Sequence, residues 1–257
     1  MVGGAATAPL PGPLRIIGGP STGGCIVGAE SLPDHGTGFQ TIHLNRSAFY
    51  GAPNAIEGLE ALASEASAAG LPPLLVEDIS RPRGGPLPGG HVSHQIGLDA
   101  DVGLDMRPRG TPTGMLDASS RETVELASMV TPDGMGVVPG VWGPKVVRLL
   151  HMAADLPGIM RVLVNPAIKK QLCTEVTGDR SWLRRIRPWY GHAAHMHISF
   201  QCPPGQGECS QGPVPPAGDG CDATLQWWFD QLKAPKKEGP AVPYRMPAAC
   251  RGILADK

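Results

Sequence analysis

Apolar side chains first recur at helical spacing between residues 54 and 70. Ile56, Leu59, Leu62, Ala63 and Ala66 fall on one face of a helix. Asn54 stands where a cap is needed, with Glu57 three residues on as its capping-box partner. Gly70 and the Pro72-Pro73 pair end the helix, and Leu74-Leu75-Val76 follows as a short buried strand. Further helices are expected from about Ser119 to Met129 and from about Pro144 to Leu156, where Pro144 suits a first turn. A short one opens at Pro166, and a last one runs from Leu225 to Leu232, with Trp227 and Trp228 as core side chains. Arg161 to Val164 reads as a strand, and Ala194 to Phe200 alternates well enough to be another. Strands and helices are interspersed without a βαβ rhythm, so the expected class is α+β.

Composition explains the short elements. The 257 residues include 35 Gly and 28 Pro, about a quarter of the chain, or roughly twice average usage. No Gly-X-Y period is present, and scattered prolines exclude a coiled coil. Yet 41% of residues are hydrophobic, too many for a disordered chain. A core wrapped in ordered loops is the consistent reading. Residues 1–24 read as an irregular Gly/Ala/Pro-rich arm, and 25–257 as one domain. Residues 81–90 (RPRGGPLPGG) form a loop.

Charge removes two function classes. Lys+Arg 22 against Asp+Glu 23 gives a net charge of −1 without a basic stripe, which disfavours nucleic acid. No apolar run approaches the roughly 18 residues of a membrane span. Met1 to Gly24 lacks a basic start followed by an apolar stretch. A secreted protein whose leader is absent from the chain has the same appearance. Six cysteines, an even number with no C-x-x-C pair, suit three disulfides in an oxidising compartment. Their spacing does not choose among the 15 connectivities.

The histidines carry the chemistry. Three of eight lie between His192 and His197, and His91 and His94 precede the acidic residues Asp99, Asp101 and Asp105. His35, His43 and His151 are isolated. On a strand, His195 and His197 project to one face while Met196 and Ile198 enter a core. A turn at Gly97 can bring His94 and Asp101 together. Two imidazoles and one carboxylate leave a fourth tetrahedral position for water, a set that suits zinc. Asp99 and Asp105 read equally well as solvated loop carboxylates, with Asp99 and Ser93 as candidates for orienting the ligating rings.

The pattern S-x-H-x-x-G-x-x-x-D followed far downstream by H-x-H resembles the metallopeptidases grouped with lysostaphin and the D-alanyl-D-alanine carboxypeptidases. PRGGPLPGGHVSHQIGLDAD (Pro82 to Asp101) and RPWYGHAAHMHISFQC (Arg187 to Cys202) more narrowly resemble the penicillin-insensitive murein endopeptidases, over about Cys25 to Cys250. The resemblance implies a central, mainly antiparallel sheet carrying the metal site, flanked by helices and long loops and stapled by disulfides. It implies one zinc ion per chain held by His94, Asp101 and His197, with His195 and His192 as catalytic histidines and His91 as an accessory one. It implies the pairs Cys25–Cys250, Cys173–Cys221 and Cys202–Cys209. It further implies a periplasmic enzyme acting on peptidoglycan at the D-alanyl-meso-diaminopimelate cross-link. Oligomeric state stays open. The carboxypeptidase relatives place a general-base Glu three residues before the last ligand, where this chain has Ala194. A histidine is then the expected base, His195 or His192. Arg81 and Arg83 are candidates for substrate contact, Trp189 and Tyr190 either line the cleft near His192 or pack under the site, and Arg184, Arg185 and Arg187 form either a carboxylate-binding set or a solvated patch. A D,D-carboxypeptidase acting on stem peptides and a non-catalytic zinc-binding recognition module are the rival readings.

Overall fold

The computed structural model describes residues 7–19, 22–87, 93–111, 113–233 and 245–255. In chain order the strands are β1 (Arg15–Gly19), β2 (Gly23–Val27), β3 (Glu30–Ser31), β4 (His35–Gly36), β5 (Phe39–Thr41), β6 (Tyr50–Gly51), β7 (Leu74–Val76) and β8 (Asp99–Gly103). β9 (Ile159–Val164), β10 (Ile186–Pro188) and β11 (His195–Phe200) complete the set. The helices are α1 (Pro53–Ala68), α2 (Ala118–Thr123), α3 (Pro144–Asp155), α4 (Pro166–Glu175), α5 (Ala223–Lys233) and α6 (Cys250–Leu254).

Seven strands form one sheet in the order β10-β9-β11-β8-β7-β5-β4. The β10–β9 and β5–β7 pairs are parallel, and the other pairs are antiparallel. The class is α+β, with a mainly antiparallel sheet. The alternation of β11 divides its two faces. Met196, Ile198 and Phe200 are buried in the core with Ala100 and Val102 of β8, Leu59 and Leu62 of α1, and Leu149 and Leu150 of α3. Burying each such large side chain stabilises the fold by about 1.5–3 kcal/mol. His195, His197 and Ser199 stand on the opposite face.

Several elements differ from the sequence reading. The stretch expected to be an irregular arm contains β1 and the start of β2, an antiparallel hairpin closed by the Ile16↔Ile26 and Ile17↔Cys25 pairs. The adjacent Ile16 and Ile17 are both buried there, Ile16 in the main core and Ile17 in a smaller cluster on the other face. Helix α1 is capped at Ala52 with Pro53 in its first turn. Asn54 lies one residue inside, and its amide donates to Gln201 O (3.3 Å). The helix expected to reach Met129 stops at Thr123. Beyond it, long-range partners claim the backbone: His43 Nε2 meets Val124 O (3.0 Å), and Met129 N–H donates to Ala193 O (2.6 Å). Trp227 is 53% exposed rather than core.

Three disulfides hold the loops: Cys25–Cys250, Cys173–Cys221 and Cys202–Cys209. The first joins β2 to α6 within a small separate cluster that includes Ile17 and Ile253. No helix among the described residues is long and apolar enough to cross a membrane.

Candidate metal centre

Strands β8 and β11 build the site by register. His197 lies directly opposite Asp101, and Ser199 opposite Asp99. Directly opposed residues share a face, so two carboxylates, an imidazole and a hydroxyl meet there. His94 arrives from the loop before β8. Gly97 turns that loop with φ 71°, and a Cβ there would sit 2.9 Å from Ala52 N. Ala52 N–H in turn donates to Gly97 O (2.8 Å). Only glycine combines that conformation with so close a backbone approach.

His94, Asp101 and His197 are buried, and one ligand atom from each lies within 4.8 Å of the others. His94 Nδ1 faces Ile79 O at 3.0 Å. A carbonyl accepts only, so Nδ1 carries the hydrogen and Nε2 presents a lone pair. His197 Nε2 lies 2.9 Å from Asp99 Oδ1, which likewise leaves Nδ1 as the lone pair. These two nitrogens stand 3.1 Å apart. Asp101 closes the triangle at 3.0 Å from His197 Nδ1 and 3.3 Å from His94 Nε2. Tetrahedral ligands about 2.0–2.1 Å from zinc stand about 3.3 Å from one another, so the three edges fit such an ion. Three converging electron-rich groups require positive charge between them.

The protein alone meets that need with protons. Burial opposes charge on His197, but hydrogen bonds to Asp101 and Asp99 outweigh it and raise the imidazole to about 10. Burial also opposes charge on Asp101, yet His94 and His197 hold its carboxyl well below the usual carboxylate range. A divalent ion entering this set displaces protons.

Two more histidines flank the triangle. His195 Nε2 lies 3.7 Å from Asp101 Oδ2, and its side chain is 24% exposed. It forms part of the wall of a cavity of about 570 Å³ shared with His43, Arg46, Glu122 and Glu125. The His192 ring lies 5.3 Å from that of His195 and 5.5 Å from that of His197, centroid to centroid. His192 has φ 45°, a left-handed conformation. Asn165, the cap of α4, holds that turn through its side-chain amide to Gly191 O and its N–H to His192 O, both 2.9 Å. Burial, then His197, pushes the His192 imidazole down to about 4, so the ring is neutral at pH 7.

A sequence model of the family described as penicillin-insensitive murein endopeptidase matches residues 16–255. The chain belongs to this family. The enzyme of that name from Klebsiella pneumoniae is 38% identical over 252 residues, covering 96% of this chain and 88% of the relative. One from Escherichia coli is 39% identical over 250 residues, covering 96% and 89%. One from Citrobacter koseri is 38% identical over 250 residues with the same coverage. As a murein endopeptidase, the chain is a peptidase.

Other residues singled out in the sequence fall in different places in this murein endopeptidase. Asp99 is a buried strand residue rather than a solvated loop carboxylate, and it also accepts from Ser199 Oγ (2.7 Å). The available signal was the spacing of Asp99 and Asp101 two residues apart, which on a strand puts both on one face. Asp105 turns outward and pairs with Arg107 (2.7 Å). Arg83, expected at the substrate, instead donates to Ala8 O, Ile253 O and Ala255 O and ties both ends of the chain to the loop before His94. Arg184 donates to Pro215 O and Pro216 O, and Arg185 to Ala154 O. Backbone carbonyls of a loop and of the last turn of α3 therefore occupy these two arginines. Trp189 and Tyr190 are 54% and 37% exposed next to the His192 turn. His91 lies outside the described residues.

Proposed function

We propose that this protein is a zinc-dependent endopeptidase that hydrolyses the D-alanyl-meso-diaminopimelate cross-link of peptidoglycan in the periplasm. The observation that carries the reading is the buried triangle of His94, Asp101 and His197, flanked by His195 on a cavity wall. These three residues would hold one zinc ion, with Asp99 and Ile79 O fixing the two ring tautomers. When bound, such an ion lowers the pKa of water toward neutrality and polarises a carbonyl.

The remaining work belongs to the flanking histidines. His195 opens on the cavity, where it can take the proton of the attacking water and return it to the leaving amine. Neutral His192 has its Nδ1 2.9 Å from Tyr190 O. That contact fixes the ring with its hydrogen on Nδ1 and leaves Nε2 as an acceptor, able to receive a hydrogen bond from the attacking water. Ala194 stands where the carboxypeptidase relatives have their Glu, so the base is a histidine. Three disulfides and the family of murein enzymes support an oxidising, periplasmic setting.

Digestion of purified murein, with separation of the fragments, tests the proposal. Cross-linked dimers should be converted to monomers, and a chelator should stop the conversion until zinc is restored. Release of free D-alanine with dimers intact would instead establish a carboxypeptidase. No cleavage by zinc-loaded protein would leave a binding module.

A further inference from the structure

Beside the metal triangle lies a second surface of different chemistry. Trp189, Tyr190 and Trp227 are three of the five large hydrophobic side chains exposed among the described residues. All three surround Trp228, with ring centroids 5.7, 4.9 and 5.2 Å from it. Tyr190 Oη also donates to Trp228 O (2.7 Å). The surface is held rigidly relative to the histidines. Tyr190 O receives His192 Nδ1, and the cap residue Asn165 of α4 binds the intervening Gly191. Cys173 of α4 is joined to Cys221, two residues before α5 and its two tryptophans. Leu225 and Phe229 bury the inner face of α5, while Trp227 faces solvent.

Exposed, uncharged ring faces held in place suit a ligand that is flat, neutral and wet at its rim. The sugar rings of murein have that chemistry. Their C–H faces are apolar and their hydroxyl edges stay hydrated, whereas the stem peptides carry carboxylates that these rings cannot pair. The surface reaches the histidine cluster through Tyr190 and His192, whose ring lies 5.3 Å from that of His195, centroid to centroid. We propose that Trp189, Tyr190 and Trp227 dock the glycan strand of murein and thereby present its peptide arm to the histidine cluster. The proposal rests on the endopeptidase reading for its substrate but is measured separately from it.

The probe is β-1,4-linked N-acetylglucosamine oligosaccharide, a neutral glycan strand without the lactyl carboxylate that amidase digestion of murein would expose. Added strands should quench the tryptophan emission of the full-length protein at saturation, and Trp227→Ala should weaken their binding at least tenfold. Trp227→Phe should restore most of it. The same Ala substitution should lower kcat/KM for glycan-bearing dimers relative to sugar-free cross-linked peptide dimers, with the change in KM. Wild-type protein that cleaves murein but binds no strands would overturn the docking surface alone. So would a folded Trp227→Ala variant that binds strands as tightly as wild type. Protein that binds strands yet cleaves no cross-link would overturn the endopeptidase reading and keep the docking surface.

Discussion

Removing the Cys25–Cys250 bridge by a double Cys→Ala substitution should be the most damaging of the three possible disulfide deletions. The bridge joins residues 225 apart in sequence, against 48 for Cys173–Cys221 and 7 for Cys202–Cys209. Closing a loop of n residues removes unfolded-state entropy of about 2.1 + 1.5R ln n cal/mol/K. At 25 °C this gives about 5.4, 4.1 and 2.4 kcal/mol for the three bridges in that order. The ranking survives nesting, because excising the inner loops changes the logarithm for the longest bridge by only about 0.2 kcal/mol. Native contacts add to it: both sulfurs are fully buried, and β2 supports the loop before His94 through Ile26 N–H to Arg83 O (3.0 Å). Urea denaturation of each double variant measures the effect, with the m-value checking that two-state unfolding persists. The Cys25/Cys250 variant should lose about 3 kcal/mol more than the Cys202/Cys209 variant. Equal losses, or the reverse order, would refute the loop-entropy reasoning.

Four further outcomes are expected. Asp99→Ala removes the acceptor that orients His197 and should weaken zinc affinity about 10–100-fold in a chelator competition, since outer partners of metal ligands carry that much; an unchanged Kd would deny Asp99 its role. His195→Ala should lower murein turnover at least about 100-fold while zinc content stays near one per chain, which sets it apart from His94→Ala, where the metal itself is lost. Full activity in His195→Ala would move the base elsewhere. Lys169 is fully buried, donates to Leu183 O and Asp219 O, and is pushed by burial from 10.5 to about 7. Between pH 7 and 10 the unfolded chain therefore binds a proton that the folded chain has released, so stability rises with pH there by up to about 1.4 kcal/mol per unit. The stability difference between wild type and Lys169→Met should grow across that window; a flat difference would contradict the depressed pKa.

Local signals made much of this protein legible. The apolar face of α1, the Pro144 start of α3 and the alternation of β11 are short-range patterns, and each produces the element it suggests. The H-x-H spacing on a strand placed His195 and His197 on one face, and the Gly97 turn gave His94 its direction. The errors arise where distant partners override local preference. The segment after α2 has an adequate helical pattern, yet the carbonyl of Val124 faces His43, 81 residues away, and the N–H of Met129 goes to Ala193. Arg83 sits beside the site in sequence, but the chain termini take its guanidinium.

The sequence by itself determined which residue types were available: five clustered histidines and carboxylates, six cysteines and loops rich in glycine and proline. Tertiary structure decided which of them meet. The register of β8 against β11 sets two acidic residues spaced two apart on either side of His197, Asp101 at Nδ1 and Asp99 at Nε2, because opposed residues share a face and neighbours do not. The disulfide between α4 and α5 brings Trp227 of α5 to the same surface as Trp189 and Tyr190. Pairing between segments tens to hundreds of residues apart is a property of the closed chain, and no local pattern encodes it.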